Sequence, residues 1–150
     1  MNRLSTLATA LALGTMLGCA TQVTVTPTHR ENMAAQSKVL AIAARDLEGI
    51  MRGRNVEGGK EEAVQAVIDF HAQAENFAGT VGEGRSDESI NTDYEHLIAA
   101  YVKLKQTFPS LYADKLTQDT YARVQYEYEK LARTSGYANK AYQKKIEEGK

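Results

Sequence analysis

Tryptophan is absent from this chain of 150 residues, proline occurs twice and cysteine once. A lone thiol forms no disulfide within one chain, which excludes a small fold held by cross-links. Only Pro27 and Pro109 interrupt the backbone's capacity for long helices. No apolar run reaches the ~20 residues that a membrane-spanning helix needs. A dominant charge is missing too: 18 Lys+Arg stand against 19 Asp+Glu. Near neutrality argues against nucleic acid as the main partner.

Chemical motifs are equally scarce. There is no Cys-x-x-Cys-His for covalent haem. Haem held by a methionine on the first helix and a histidine on the last finds Met33 but no second ligand, because the last helical stretch has no histidine. A di-iron bundle needs two Glu-x-x-His units, and the chain has none. No Gly-x-Ser-x-Gly elbow occurs. Gly82-Glu83-Gly84 lacks the Lys-Ser/Thr that a phosphate loop requires. Glu83, Asp87 and Glu88 do not match the ligand spacing of a calcium loop. No catalytic residue, metal or cofactor is therefore assigned, and an enzyme is not expected.

Two pairs have the residue types that a transition metal accepts. His71 and Glu75 lie four apart and Asp93 and His96 three apart, so each pair shares a helix face. Helical spacing sets His96 opposite the apolar stripe of its helix and His71 on the flank of its own. The two pairs are not expected to converge.

The amino terminus is more informative. Arg3 precedes an apolar segment, Leu4 to Leu17, and Gly18-Cys19-Ala20 follows. These are the parts of an export signal. Met16-Leu17-Gly18-Cys19 resembles the lipobox of bacterial lipoproteins: Gly18 and Cys19 match, while Met16 and Leu17 depart mildly from the usual aliphatic and small residues. The resemblance implies lipid on the Cys19 thiol, cleavage before it and acylation of the new amino terminus. It also implies attachment to a bacterial membrane on the periplasmic face. Ala20, where inner-membrane lipoproteins often carry Asp, favours the outer membrane. Two or more acyl chains hold a protein stably where one does not. Residues 1–18 are thus read as a signal peptide, 19–28 as the lipidated cysteine and an extended tether, and 29–150 as the folded domain. The mature chain has 17 Lys+Arg against 19 Asp+Glu, a formal charge of −2.

From Thr28 onward the apolar residues recur at spacings of three and four, the period of a buried helix face. Thr28-x-x-Glu31 has the form of a capping box. The first stripe is Met33, Ser37, Leu40, Ala44, Leu47 and Met51, and Gly53 to Gly59 breaks it. The second is Ala63, Val67, Phe70, Ala74, Phe77 and Val81. Gly79, Gly82 and Gly84 then open a polar turn through Ser89. The third stripe is Ile90, Tyr94, Leu97, Tyr101, Leu104 and Phe108, stopped by Pro109. The fourth starts near Thr117 and runs through Tyr121, Val124, Tyr128, Leu131, Ser135, Ala138, Tyr142 and Ile146, with Gly136 as a point of interruption. Four such stripes on short loops predict an all-α, antiparallel up-down four-helix bundle. Three helices with a protruding or swapped fourth would use the same stripes, and seams can also pair between chains.

The later stripes carry Tyr94, Tyr101, Tyr121, Tyr128 and Tyr142. Buried phenols need hydrogen-bond partners, and Gln125 and Glu127 are near in sequence. The face opposite the fourth stripe carries Tyr126, Lys130, Arg133, Tyr137, Lys140 and Lys144. Cations interleaved with exposed rings suit an acidic partner or an anionic membrane. These six are the candidate partner-binding residues. The functional expectation is a membrane-anchored interaction or structural lipoprotein with a protein partner in the cell envelope. The alternative is a bundle that binds a small ligand or metal in a tyrosine-lined interior.

Overall fold

A computed structural model describes residues 27–53, 61–108 and 114–136. Every element among them is an α-helix: α1 (Pro27–Arg52), α2 (Glu61–Gly82), α3 (Asp87–Thr107) and α4 (Lys115–Thr134). The expected signal peptide, Cys19 and most of the expected tether lie outside the described residues.

α1 begins two residues earlier than the tether boundary predicts. Pro27 is its first residue, and Thr28 is helical rather than a cap. Proline suits this place because its missing N–H would find no partner there and its φ is already helical. The remaining start signals are polar side chains. The Ser86 hydroxyl accepts the Ser89 backbone N–H at 3.2 Å and so caps α3. Asp114 caps α4 by accepting the Thr117 N–H at 3.1 Å, which moves that helix start upstream of Thr117. Asp87 and Glu88 in the first turn of α3, and Glu61 and Glu62 in that of α2, also complement the helix dipole.

The ends of α2 and α4 are each followed by a glycine of positive φ. Gly84 has φ +69°. Around it the Arg85 N–H donates to the Thr80 carbonyl and the Gly84 N–H to the Val81 carbonyl, the pair of bonds of a Schellman stop. Gly79 and Gly82 are themselves helical, so the turn is shorter than the glycine cluster suggests: Ser86 already caps α3, and Ser89 belongs to that helix. Gly136, φ +70°, follows Ser135 at the end of α4. α4 therefore ends at Thr134. Ala138, Tyr142 and Ile146 lie outside the described residues.

All six residues of the first stripe, all six of the second and all six of the third are buried, as is Ile98. In the fourth, Thr117, Val124, Tyr128, Leu131 and Ser135 are buried and Tyr121 is half-buried. α1 packs against α2 and α4, and α2 against α3. Cross-helix pairs fix the directions. Gln36 meets Glu127 and Asp46 meets Arg123, so α1 and α4 are antiparallel. Asp69 meets Lys103 and Thr80 meets Asp93, so α2 and α3 are antiparallel. The fold is the expected up-down four-helix bundle.

α3 and α4 are joined chiefly through rings. Tyr101 stacks on Tyr128 at 3.6 Å between centroids, and Phe108 on Tyr121 at 3.8 Å. Phe70 of α2 closes a triad, 5.8 Å from Tyr101 and 6.4 Å from Tyr128. Alanines on α1 and α2 allow close backbone approach, whereas the tyrosines span a wider seam. Burial of each ring stabilises the fold by roughly 1.5–3 kcal/mol. Each aromatic pair adds about 0.5–1.5 kcal/mol.

Candidate functional site

His71 lies between two carboxylates, Glu48 and Glu75. It sits on the α1-facing flank of α2, and its side chain is 15% exposed. Its Nδ1 donates to Glu48 Oε2 of α1 at 2.6 Å, since an ionised carboxylate only accepts. Its Nε2 lies 3.2 Å from Glu75 Oε1, one turn along α2, outside hydrogen-bonding direction. Arg52 Nε donates to the other oxygen of Glu48. Burial opposes ionisation of Glu48, but the hydrogen bonds from Arg52 and His71 outweigh it and hold the carboxyl below its usual range.

The expected His71–Glu75 pair is therefore present, with Glu48 as a partner that the spacing did not reveal. The two carboxylates meet different ring nitrogens and do not converge on one point. Among the described residues no group of three His, Cys, Asp or Glu side chains is placed to hold a metal ion. Asp93 accepts the hydroxyl of buried Thr80, and His96 is exposed on α3. The loop acids have cations of their own: Arg85 pairs with Glu83 at 2.8 Å and Arg30 with Asp87 at 2.7 Å.

The tyrosine interior is filled by its own rings. Burial raises the Tyr101 phenol well above its ordinary range, with Tyr121 and Glu129 adding to the rise. Burial likewise pushes Tyr121 up to about 12, opposed by its hydrogen bond with Gln125. Both phenols stay protonated at neutral pH, so neither serves as a base. Gln125 is a tyrosine partner as expected. Glu127 instead accepts from Gln36 Nε2 at 2.6 Å and ties α4 to α1.

Of the six candidate partner-binding residues, Tyr126, Lys130 and Arg133 are exposed on α4. Tyr137, Lys140 and Lys144 lie outside the described residues. α4 spans Lys115–Thr134, so only the first three of the six lie on it. The exposed surface instead spreads sideways onto α1. Val39, Ile42, Leu116 and Tyr126 are the large hydrophobic residues exposed among the described ones, and all four lie on α1 or α4. Lys38 and Arg45 are exposed beside Val39 and Ile42. The available signal was two branched apolar residues off the first stripe, flanked by cations. Cys19 lies outside the described residues, and no helix among those described is long and apolar enough to cross a membrane. Comparison with family profiles, curated proteins and solved structures finds no match to the chain.

Proposed function

We propose that this protein is a bacterial lipoprotein, attached to a membrane through Cys19, whose helical bundle acts as an interaction or structural accessory of the cell envelope. The observation that carries this reading is the lipobox-like Met16-Leu17-Gly18-Cys19 after an apolar export segment. Ala20 favours the periplasmic face of the outer membrane. The bundle supports the interaction role through its distribution of groups. Its interior is occupied by close-packed rings, and among the described residues its large exposed apolar side chains and most of its cations without an ion pair lie on α1 and α4. Recognition is then a task for outer faces rather than for a cleft, and catalysis is not part of the proposal. A ligand in the tyrosine interior would first have to part Tyr101 from Tyr128, stacked at 3.6 Å.

Crosslinking in intact cells tests the accessory role. The proposal predicts a discrete adduct between the anchored protein and one envelope protein, reduced when surface residues of the bundle are reversed in charge. Recovery of the uncrosslinked chain alone, under conditions that crosslink known envelope complexes, contradicts it.

A further inference from the structure

The bundle divides its charge between two sides. α2 and α3 carry eight carboxylates and two lysines, Lys103 and Lys105. α1 and α4, packed against each other, carry eight Lys and Arg against six carboxylates. The formal charges of the two helix pairs are thus −6 and +2, with histidines neutral.

Ion pairing sharpens the contrast. On the α1–α4 side, Arg30, Arg52, Lys115 and Arg123 have carboxylate partners. Lys38, Arg45, Lys130 and Arg133 are exposed and form no ion pair among the described residues. The exposed apolar residues stand among these free cations; Glu31 and Glu129 are the exposed carboxylates of the same two helices that form no ion pair among the described residues. The Gln36–Glu127 and Asp46–Arg123 bonds join α1 to α4 and bracket the level of Val39, Ile42 and Tyr126. Val39 and Ile42, three apart, share the outer side of α1. Ile42 is 43% exposed and Tyr126 56%.

Apolar and aromatic side chains ringed by long cationic ones are the composition of a surface that rests in a lipid headgroup region. The apolar groups leave water, while lysine and arginine stems extend their charges to phosphate. We propose that the α1–α4 side lies against an anionic phospholipid surface. Val39, Ile42 and Tyr126 enter the headgroup layer, and Lys38, Arg45, Lys130 and Arg133 meet lipid phosphates. The α2–α3 side, repelled by the same charge, faces away. This rests on the anchored reading above. The attraction of four cations is weak by itself, and attachment at Cys19 makes it effective by holding the face at high local concentration. Seven residues lie between Cys19 and Pro27, a reach of at most ~25–30 Å, enough for the bundle to lie along the membrane.

The protein-lipid complex itself provides the test. The protein purified from bacterial membranes is reconstituted in vesicles of phosphatidylcholine, alone or mixed with phosphatidylglycerol. Lysines are then labelled with an amine-reactive reagent and quantified by mass spectrometry. Labelling of Lys38 and Lys130 is expected to fall roughly fivefold on the anionic vesicles, about the effect of one cation near such a surface. It should recover in high salt, with Lys103 and Lys105 unchanged throughout. The Cys19 peptide from the same digest reports acylation. Acylated Cys19 with even labelling overturns the lipid-facing side and leaves the anchor standing. Unmodified Cys19 overturns the anchor and this proposal with it. Protection that appears in native envelope membranes but on neither vesicle assigns the side to a protein and overturns the lipid reading.

Discussion

Tyr101 of α3 and Tyr128 of α4 stack face to face, 3.6 Å apart with an interplanar angle of 18°. This contact joins two helices whose backbones pack less closely than those of α1 and α2, α2 and α3, or α1 and α4. Tyr101→Ala should destabilise the fold by about 3–5 kcal/mol, the usual cost of removing a buried ring. Tyr101→Ala, Tyr128→Ala and the double variant, compared by urea unfolding, should give a coupling of about 0.5–1.5 kcal/mol. Additive losses would mean that the stacking contributes nothing beyond burial.

Glu48 gives the fold a defined acid sensitivity. Its folded carboxyl is held below the ordinary value of 4.5 by Arg52 and His71 against the effect of burial. A depressed carboxylate contributes stability that is present above 4.5 and lost as pH falls through its lower folded value. Thermal melts of the native chain and Glu48→Gln should therefore differ most near neutrality and converge toward low pH. A gap that widens as pH drops would contradict the Glu48–His71–Arg52 arrangement.

Two glycines of α2 and its stop should respond in opposite senses. Gly84, at φ +69°, tolerates a side chain poorly, so Gly84→Ala should cost about 1–2 kcal/mol. Gly79 is helical, and an added methyl would meet nothing within 4 Å. Gly79→Ala should stabilise the bundle by about 0.4–1 kcal/mol. Equal effects in urea unfolding would show that the end of α2 is misplaced.

The caps make a further stability prediction. Asp114→Ala removes the acceptor of the Thr117 N–H and should cost about 0.5–2 kcal/mol. Asp114→Asn retains an acceptor and should recover most of that loss. If both substitutions behave alike, the carboxylate acts through charge rather than capping.

The helix stripes were legible because burial imposes a spacing of three and four that composition cannot disguise. Met33 to Met51, Ala63 to Val81 and Ile90 to Phe108 all face the core as the spacing predicts. The helix starts were harder to place. Pro27 resembles a stop but fits a first turn, and Ser86 and Asp114 are recognisable as caps only once the following N–H is seen to reach them. Glu48 was invisible as a partner of His71 because a cross-helix contact depends on the register of α1 against α2. The outer face was only half legible. Tyr126, Lys130 and Arg133 follow from one helix, but their joining with Val39, Ile42, Lys38 and Arg45 requires that α1 and α4 be neighbours.

Cys19 provides the most direct measurement of the account as a whole. Membranes from cells making the native chain or Cys19→Ala would be floated through a density gradient, with acyl labelling followed in parallel. The account predicts that the native chain floats with membrane and carries acyl label, while Cys19→Ala carries none and is lost from the membrane fraction. Equal flotation of the two chains, with no difference in label, would contradict it.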